Sequence, residues 1–235
     1  MAKDRILIVG MGGLGVPALW ALARAGARRL TLVDPDPVEL SNLARQVIYR
    51  DRDIGTPKVE AAARWLVERF PDVKVEPHSV ALDESNAARL VGAHDFVIDA
   101  TDSPVAKFLI NDTCIVARTP FVYGGVVGMT GQAMTVIPGE TACIRCVFET
   151  PPAEDEIQSC REAGIVGPVA GAIGEMQATE AMRASRAQTF SLSGKILTYD
   201  ASGPSRVRIT AVSPRPGCGC GASKQEHRES QAPGR

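Results

Sequence analysis

Short apolar runs alternate with longer amphipathic stretches through the first half of the chain. Strands are predicted over Arg5–Val9, Arg29–Val33, 73–77 and 96–99. The first of them is a short apolar run that ends in glycines, which is typical of a buried parallel strand. The amphipathic stretches between them predict helices over 14–25, 56–70, 83–91 and 103–117. Thr56, Asp83 and Ser103 are placed to cap three of these helices. Alternating strands and helices predict an α/β fold with a doubly wound, mostly parallel Rossmann-like sheet.

The pattern changes after Pro120, where glycines rather than helices separate the apolar segments. Further strands are predicted over 121–123 and 132–138, and as a closing hairpin over 196–199 and 206–209. A polar loop is expected over 149–159 and a long helix over 166–184. Strands reached without a crossover helix extend a parallel sheet in the antiparallel sense. We expect one nucleotide-binding domain over 1–221 and a disordered tail over 222–235.

The composition narrows the class of protein. The 235 residues, 45% of them hydrophobic, suit one domain with a large core. The net charge is -1, with 26 basic and 27 acidic residues, which argues against a nucleic-acid partner. No apolar run approaches the ~20 residues of a membrane span, and the start does not resemble a signal peptide. A cytoplasmic location with no membrane partner is therefore expected.

The first strand leads into a glycine loop, Gly10–Gly15, with glycine at Gly10, Gly12, Gly13 and Gly15. Such a loop lets backbone N–H groups and a helix N-terminus approach phosphates without interference from Cβ atoms. Asp34 ends the second strand, where a carboxylate can accept hydrogen bonds from ribose hydroxyls. Asp36 is the weaker candidate, since Pro35 carries it beyond the strand. These features predict a nucleotide site but do not distinguish ATP from NAD.

Several segments in this order resemble the ThiF/MoeB/HesA family from Ile6 to Cys220. They are the glycine loop, 32–36, Ser41–Gln46, Gly55–Lys58, Asp99–Asp102, Cys143–Cys146, Cys160–Gly164, 193–195 and 199–200. The resemblance implies an adenylyltransferase that uses ATP and Mg²⁺ and releases pyrophosphate. Its substrate would be the C-terminal Gly-Gly carboxylate of a ubiquitin-like sulphur-carrier protein (ThiS/MoaD-like), activated for cofactor biosynthesis such as that of thiamine or molybdopterin.

The resemblance also implies roles for individual residues. Arg45 and Lys58 would contact the triphosphate, and Asp102 would help to hold Mg²⁺. Asp34 would bind the ribose, while Asn42 and Gln46 would support the phosphates. The alternative reading is that the two cations are solvated surface charges, as most lysines and arginines are.

The segment 99–103 contains two further polar residues of interest, Asp99 and Ser103. Asp99 could face the ligand from a strand end, cap a helix or support other groups, and it stays outside the predicted set. Ser103 replaces the asparagine of the usual family motif, which leaves a direct contact from that side chain in doubt.

Four of the cysteines form two close pairs, Cys143 with Cys146 and Cys218 with Cys220. By resemblance they imply a structural zinc site with four thiolate ligands. The second pair is one residue shorter than the C-x-x-C of the family. The alternative is that this pair lies in a flexible tail and binds no metal. Cys114, in an apolar helical stretch, is expected in the core.

Cys160 follows the polar loop and precedes Arg161, a cation that would lower the pKa of its thiol. In some relatives a cysteine here becomes linked to the carrier, because a thiolate can displace AMP from an acyl-adenylate. The alternative, that adenylation alone is the task, stays open.

The resemblance alone implies a homodimer. Most relatives carry a segment before the first strand, often with an arginine that reaches the partner subunit's nucleotide. This chain begins at the strand, so we expect it to work without that arginine or with another chain. Two rival functions remain, an NAD-dependent oxidoreductase and a non-catalytic partner that binds the carrier.

Overall fold

A computed structural model describes residues 4–151, 164–204 and 206–220. Its eight strands form one sheet, and they cover Arg5–Val9 (β1), Arg29–Val33 (β2), Lys74–His78 (β3), Phe96–Asp99 (β4), Phe121–Val127 (β5), Thr130–Val136 (β6), Lys195–Asp200 (β7) and Val207–Ala211 (β8). The order across the sheet is β3-β2-β1-β4-β5-β6-β7-β8. Strands β1 to β5 pair in parallel, whereas β5 to β8 pair as antiparallel neighbours. The predicted fold class is therefore confirmed.

The helices cover Gly15–Arg24 (α1), Lys58–Arg69 (α2), Ala87–Gly92 (α3), Pro104–Ala117 (α4), Ile144–Val147 (α5) and Gly167–Ser185 (α6). Alternate side chains of β1 enter two separate cores. Ile6 and Ile8 pack with α1, α2 and α6, while Leu7 and Val9 pack with α3, α4 and α5. Burial on both faces explains why the strand reads as an unbroken apolar run. Within the described ranges, no helix has the length and apolar character that crossing a bilayer requires.

Two of the predicted helix starts are wrong. A hydrogen bond from Val38 N to Thr56 O holds the segment through Pro57 extended, so α2 begins at Lys58 without a cap from Thr56. Asp83 instead accepts hydrogen bonds from the backbone N–H and the hydroxyl of Ser85. These bonds close a turn ahead of the helix, and α3 begins only at Ala87. Ser103 does cap α4, because its hydroxyl accepts from Ala106 N.

The predicted strand boundaries also shift in the second half of the chain. Strands β5 and β6 continue to the residue pair Val127–Thr130 at their hairpin, so both extend further toward the turn than the sequence suggests. The β6 strand ends at Val136, because Thr141 accepts the backbone N–H of Ile137 through its hydroxyl. These shifts leave the sheet order unaffected.

The strand order reverses direction at β1, whose neighbours are β2 on one side and β4 on the other. In open parallel sheets, a crevice forms at such a switch point, beyond the carboxyl ends of the strands. The glycine loop follows β1 and the Asp99–Asp102 segment follows β4, so both meet at this edge. The fold thus brings the glycine loop and the Asp99–Asp102 segment to the same edge of the sheet.

Candidate functional site

A cleft of about 1370 Å³ opens at the carboxyl edge of the parallel strands. The predicted nucleotide residues that line it are Gly10, Gly12, Gly13, Asp34, Asn42, Arg45, Gln46, Lys58 and Asp102. Gly15 is the predicted member that does not line the cleft. Residues far apart in sequence therefore share one concave surface, which is the usual form of a small-molecule site.

Two glycines of the loop are required by close backbone packing. Gly10 has φ +96°, and a Cβ there would lie 2.6 Å from Ala100 O. A Cβ at Gly15 would lie 1.8 Å from the carbonyl oxygen of Gly10. These contacts bring the loop, the start of α1 and the end of β4 together. Gly12 and Gly13 meet no such obstacle, and both face the cleft.

Asp34 is fixed at the end of β2 and is 5% exposed. Its carboxylate accepts from Met11 N at 2.6 Å and from Asp36 N at 2.8 Å. Lys58 Nζ donates to Asp36 Oδ2 at 2.7 Å and lies 3.9 Å from Asp34 Oδ1. Burial raises the pKa of Asp34 above its ordinary value, against the Lys58 charge and the two N–H donors. The strand end therefore presents an oriented carboxyl group with a cation beside it.

Arg45 and Gln46 carry polar atoms that lack partners inside the cleft wall. Arg45 Nη1 donates to Ser41 O at 2.9 Å, but the buried Nε has no hydrogen-bond partner in the described ranges. The same is true of Oε1 of Gln46, a residue that is 2% exposed. Buried polar groups are normally satisfied, so these two atoms indicate room for a polar ligand.

Asn42 behaves differently, because its side chain is already engaged. Its Oδ1 accepts from Glu39 N at 3.2 Å, and its Nδ2 donates to Ser41 Oγ at 3.3 Å. Asn42 lines the cleft and is buried, while it also closes the turn that leads to Arg45.

Asp102 and Asp99 lie close in sequence but have different environments. Asp102 is exposed and lines the cleft. Asp99 is fully buried and accepts from Thr101 N and Thr101 Oγ1 at 3.1 and 2.8 Å. Lys107 Nζ, from α4, lies 3.2 Å from each carboxylate oxygen of Asp99. Asp99 is therefore neither a helix cap nor a group open to solvent.

Part of the cleft lining is apolar. Its apolar and aromatic side chains include Tyr123, Val126, Val127, Ile144, Phe148 and Ile165. The rings of Tyr123 and Phe148 lie 6.3 Å apart between centroids. The cleft thus combines a polar region at the glycine loop with apolar side chains, so one ligand could be anchored by charge and another by apolar contact.

The four paired cysteines form a second site, called here the cysteine cluster: Cys143, Cys146, Cys218 and Cys220. Their Sγ atoms all lie within 4.8 Å of one another. The Sγ atoms of Cys143 and Cys218 are 3.6 Å apart, and those of Cys146 and Cys220 are 3.5 Å apart. Zn–S bonds of about 2.3 Å in a tetrahedron give S–S distances of about 3.8 Å. The short C-x-C pair therefore reaches the same point as the first pair.

The thiols of the cysteine cluster differ in acidity. Burial raises the pKa of Cys143 to about 11. Burial acts in the same direction on Cys146, but hydrogen bonds, first that from Arg215 N, outweigh it and lower the pKa to about 7. A bound cation would be needed for all four to ionise together. Beside the cluster, Arg145 pairs with Asp112 through two hydrogen bonds of 2.7 Å.

Reasoning from the sequence alone missed Lys107, Tyr49 and Gln177. Tyr49 is buried with its hydroxyl 3.0 Å from Met11 O and 3.2 Å from Lys58 O, which ties the glycine loop to α2. Gln177 Nε2 donates to Asp99 O at 2.6 Å. The one available signal for Lys107 was a lone cation in the apolar stretch of α4. Cys114 is buried as expected, while Cys160 lies outside the described residues.

The comparisons with known proteins agree with this geometry. The ThiF family profile matches residues 1–220. The chain is 41% identical over 201 residues to the SAMP-activating enzyme E1 of Haloferax volcanii, covering 86% of this chain and 74% of that protein. It is 37% identical over 212 residues to the adenylyltransferase and sulfurtransferase MOCS3 of Arabidopsis thaliana. That match covers 90% of this chain but only 46% of MOCS3, so the chain spans about half the length of that relative.

Among solved structures, E. coli MccB with ATP has a TM-score of 0.82 at 21% sequence identity. The match covers 94% of this chain and 68% of MccB. At this level of identity the similarity concerns the fold.

Proposed function

Because the chain belongs to the ThiF family, we propose that it is an ATP-dependent adenylyltransferase. Its proposed substrate is the C-terminal glycine carboxylate of a ubiquitin-like sulphur-carrier protein. The observation that carries this proposal is the single cleft lined by the glycine loop, Asp34, Arg45, Lys58 and Asp102. The similarity to the SAMP-activating enzyme E1 and to the MOCS3 adenylyltransferase supports the reaction class.

In the proposed reaction, a carboxylate oxygen of the carrier attacks the α-phosphorus of ATP. The bond from that phosphorus to the bridging oxygen breaks, and pyrophosphate leaves with the electron pair. The carrier becomes an acyl-adenylate. Negative charge grows on the phosphoryl and leaving oxygens, so fixed cations and N–H donors stabilise the transition state more than acid–base groups do.

The residues of the polar region suit these demands. Arg45 Nε has no hydrogen-bond partner among the residues that the structure describes, so it can donate to a phosphate oxygen, and Lys58 adds a second cation beside Asp34. Asp34 is held by two N–H donors and keeps lone pairs for ribose hydroxyls. The N–H groups of the glycine loop and the N-terminus of α1 suit the phosphates.

Asp102 is the proposed Mg²⁺ ligand. It is an exposed carboxylate with no ion-pair partner in the part of the chain that the structure describes, and hard cations prefer such oxygens. Asp99 does not fit that role, since Lys107 already neutralises it. When bound, Mg²⁺ would neutralise part of the triphosphate charge.

The cysteine cluster is the proposed structural zinc site. Four thiols within 4.8 Å fit a tetrahedral thiolate site. Cys143 immediately precedes α5 and Cys146 lies within it, whereas Cys218 and Cys220 lie beyond β8. Zinc would therefore tie the end of the chain to the sheet.

Three further parts of the proposal concern the carrier and the assembly. Cys160 either accepts the carrier from the acyl-adenylate or takes no part; unchanged activation and sulphur transfer in Cys160→Ala would exclude the first role.

We propose a homodimer with a cytoplasmic location. We also propose a single domain over 1–221; the tail predicted over 222–235 lies outside the described residues.

ATP–pyrophosphate exchange with Mg²⁺ and a set of small carriers ending in Gly-Gly tests the proposal. Carrier-dependent exchange is expected, and the carrier that supports the fastest exchange identifies the pathway. Asp102→Ala should abolish the exchange, while Asp72→Ala, a matched change at an exposed aspartate outside the cleft, should leave it intact.

The rival functions predict other outcomes of the same experiment. ATP binding without exchange, with every carrier, would favour a non-catalytic partner that holds the carrier. Absence of ATP binding together with NADH-dependent turnover would favour an oxidoreductase. Either result would contradict the adenylyltransferase proposal.

A further inference from the structure

A buried ion pair lies beneath the cleft. Lys107 Nζ lies 3.2 Å from both carboxylate oxygens of Asp99 and 2.5 Å from Gly124 O. It also stands 4.9 Å from the centre of the Tyr123 ring. An ammonium has three N–H donors, and three acceptors are already present. Lys107 therefore has no free donor for a substrate, although it lines the cleft.

Asp99 lies behind Lys107, away from the cleft surface. Its side chain is 0% exposed, against 12% for that of Lys107. In the sheet it pairs with Val9, the residue before the glycine loop. Burial and the Asp99 charge together raise the pKa values of Tyr123 and Cys114. The negative charge of Asp99 thus acts on neighbouring groups, and Asp99 lies next to the loop expected to bind phosphates.

We propose that Lys107 is the counter-ion of Asp99 that keeps the cleft floor electrically neutral, so that a polyanionic nucleotide can bind there. Lys107 is in this sense a positioning and selectivity residue, because it acts through Asp99 rather than by touching the nucleotide. The inference rests on the proposed ATP site. Without Lys107, the hydrogen bonds from Thr101 N and Thr101 Oγ1 still favour the ionised form of Asp99. The uncompensated carboxylate then repels the triphosphate, since charges act over long distances where the dielectric constant is low.

A purely structural role for the pair makes a different prediction. The pair also ties α4 to β4 and β5, so its loss could loosen the whole cleft. Loosening weakens ATP and adenosine alike, because both share the same base and ribose contacts. An electrostatic role weakens ATP while leaving uncharged adenosine almost unaffected. The ratio of the two dissociation constants therefore separates the two roles.

Isothermal titration with ATP and with adenosine, in magnesium-free buffer, measures that ratio. Lys107→Met should weaken ATP binding about tenfold relative to adenosine. Asp99→Asn should change the ratio in the opposite direction, because Lys107 then faces the cleft without its counter-ion. The double variant should return to within about twofold of the original ratio, and Lys107→Arg should retain it. Lys74→Met, at an exposed lysine on β3, is the matched control.

Each outcome is decisive. Equal weakening of ATP and adenosine in Lys107→Met, or an unchanged ratio in Asp99→Asn, would overturn the inference. If Lys107→Met fails to fold, Asp99→Asn still shows in which direction the ratio of the two dissociation constants changes. The double variant then shows whether the original ratio returns. If the unmodified protein binds adenosine but not ATP, the proposed function fails and the inference falls with it.

Discussion

The cleft and the cysteine cluster are held together by different forces. The cleft depends on backbone packing that the chain supplies by itself, with Gly10 and Gly15 allowing contacts that no other residue permits. The cysteine cluster brings four thiols together, and ionised thiols repel one another unless a cation lies between them. The cleft should therefore exist without a ligand, whereas the cysteine cluster should depend on the zinc ion proposed for it.

The largest effect is expected from a substitution that disrupts the backbone packing of the cleft. Gly15→Ala would place a Cβ 1.8 Å from Gly10 O, so we expect a loss of at least about 3 kcal/mol in the free energy of unfolding. Urea denaturation measures it. Gly13→Ala is the matched control, because its Cβ would meet Ala170 Cβ at an ordinary 3.5 Å. Equal losses in the two variants would show that close packing is not what holds the loop.

Metal removal is expected to have the next largest effect. A zinc-selective chelator should lower the free energy of unfolding by about 2–3 kcal/mol, since metal binding is coupled to folding. Calorimetry before and after zinc is restored measures it. The chelator should have no effect on Cys143→Ser, whereas Cys114→Ala should keep its zinc. If the chelated protein contained no zinc and kept its stability, the cysteine cluster would not depend on a metal, and the two sites would not differ in this respect.

Arg45→Ala tests the chemistry of the cleft while leaving its backbone packing intact. Loss of one transition-state cation should slow ATP–pyrophosphate exchange about 100-fold, equivalent to about 2.7 kcal/mol. Melting should change little, because the guanidinium makes a single intramolecular hydrogen bond among the described residues, to Ser41 O. Arg24→Ala, an exposed arginine at the end of α1, is the control. Full exchange in Arg45→Ala would show that the cation is a surface charge.

The smallest expected effect concerns the support of the cysteine cluster. Burial acts to raise the pKa of Asp112, but the Arg145 hydrogen bonds outweigh it and lower the pKa below 3.8. A lowered pKa gives stability that is present above pH 3.8 and lost as pH falls through the lowered value. The pair is partly exposed, so Asp112→Asn should cost less than about 1 kcal/mol at neutral pH.

Acid denaturation curves of the original protein and of Asp112→Asn measure that difference. The gap between them should close as pH falls below 3.8, whereas Asp72→Asn should show no gap at any pH. A gap that persists at low pH would mean that Asp112 acts by packing rather than by charge.

The sequence predicted the parallel strands β1, β2 and β4 because they are buried on both faces, whereas β3 at the edge is mostly exposed. Leu7 and Val9 face one core while Ile6 and Ile8 face the other, which leaves a plain apolar run. The helix start at Thr56 was mispredicted for a non-local reason, since Val38 holds that segment extended. Local cap signals carry no information about such a partner.

The same distinction applies to the candidate site. Glycines and strand-end carboxylates follow local rules, so the residues lining the cleft could be proposed from motifs and resemblance. Lys107 could not, because its role arises from Asp99 on one strand and Gly124 on another. Nor could the reach of the C-x-C pair be judged, since it depends on where the chain beyond β8 returns.

The position of β1 in the interior of the sheet has a consequence for hydrogen exchange. Its backbone is paired on both sides, with β2 and with β4, whereas β8 ends the sheet and pairs only with β7 among the described residues. Amides of Ile6 to Val9 should exchange with deuterium only when the whole domain unfolds. Those of Val207 to Ala211 should exchange through fraying of the edge strand. The scaffold below the glycine loop would then be the slowest-exchanging part of the molecule.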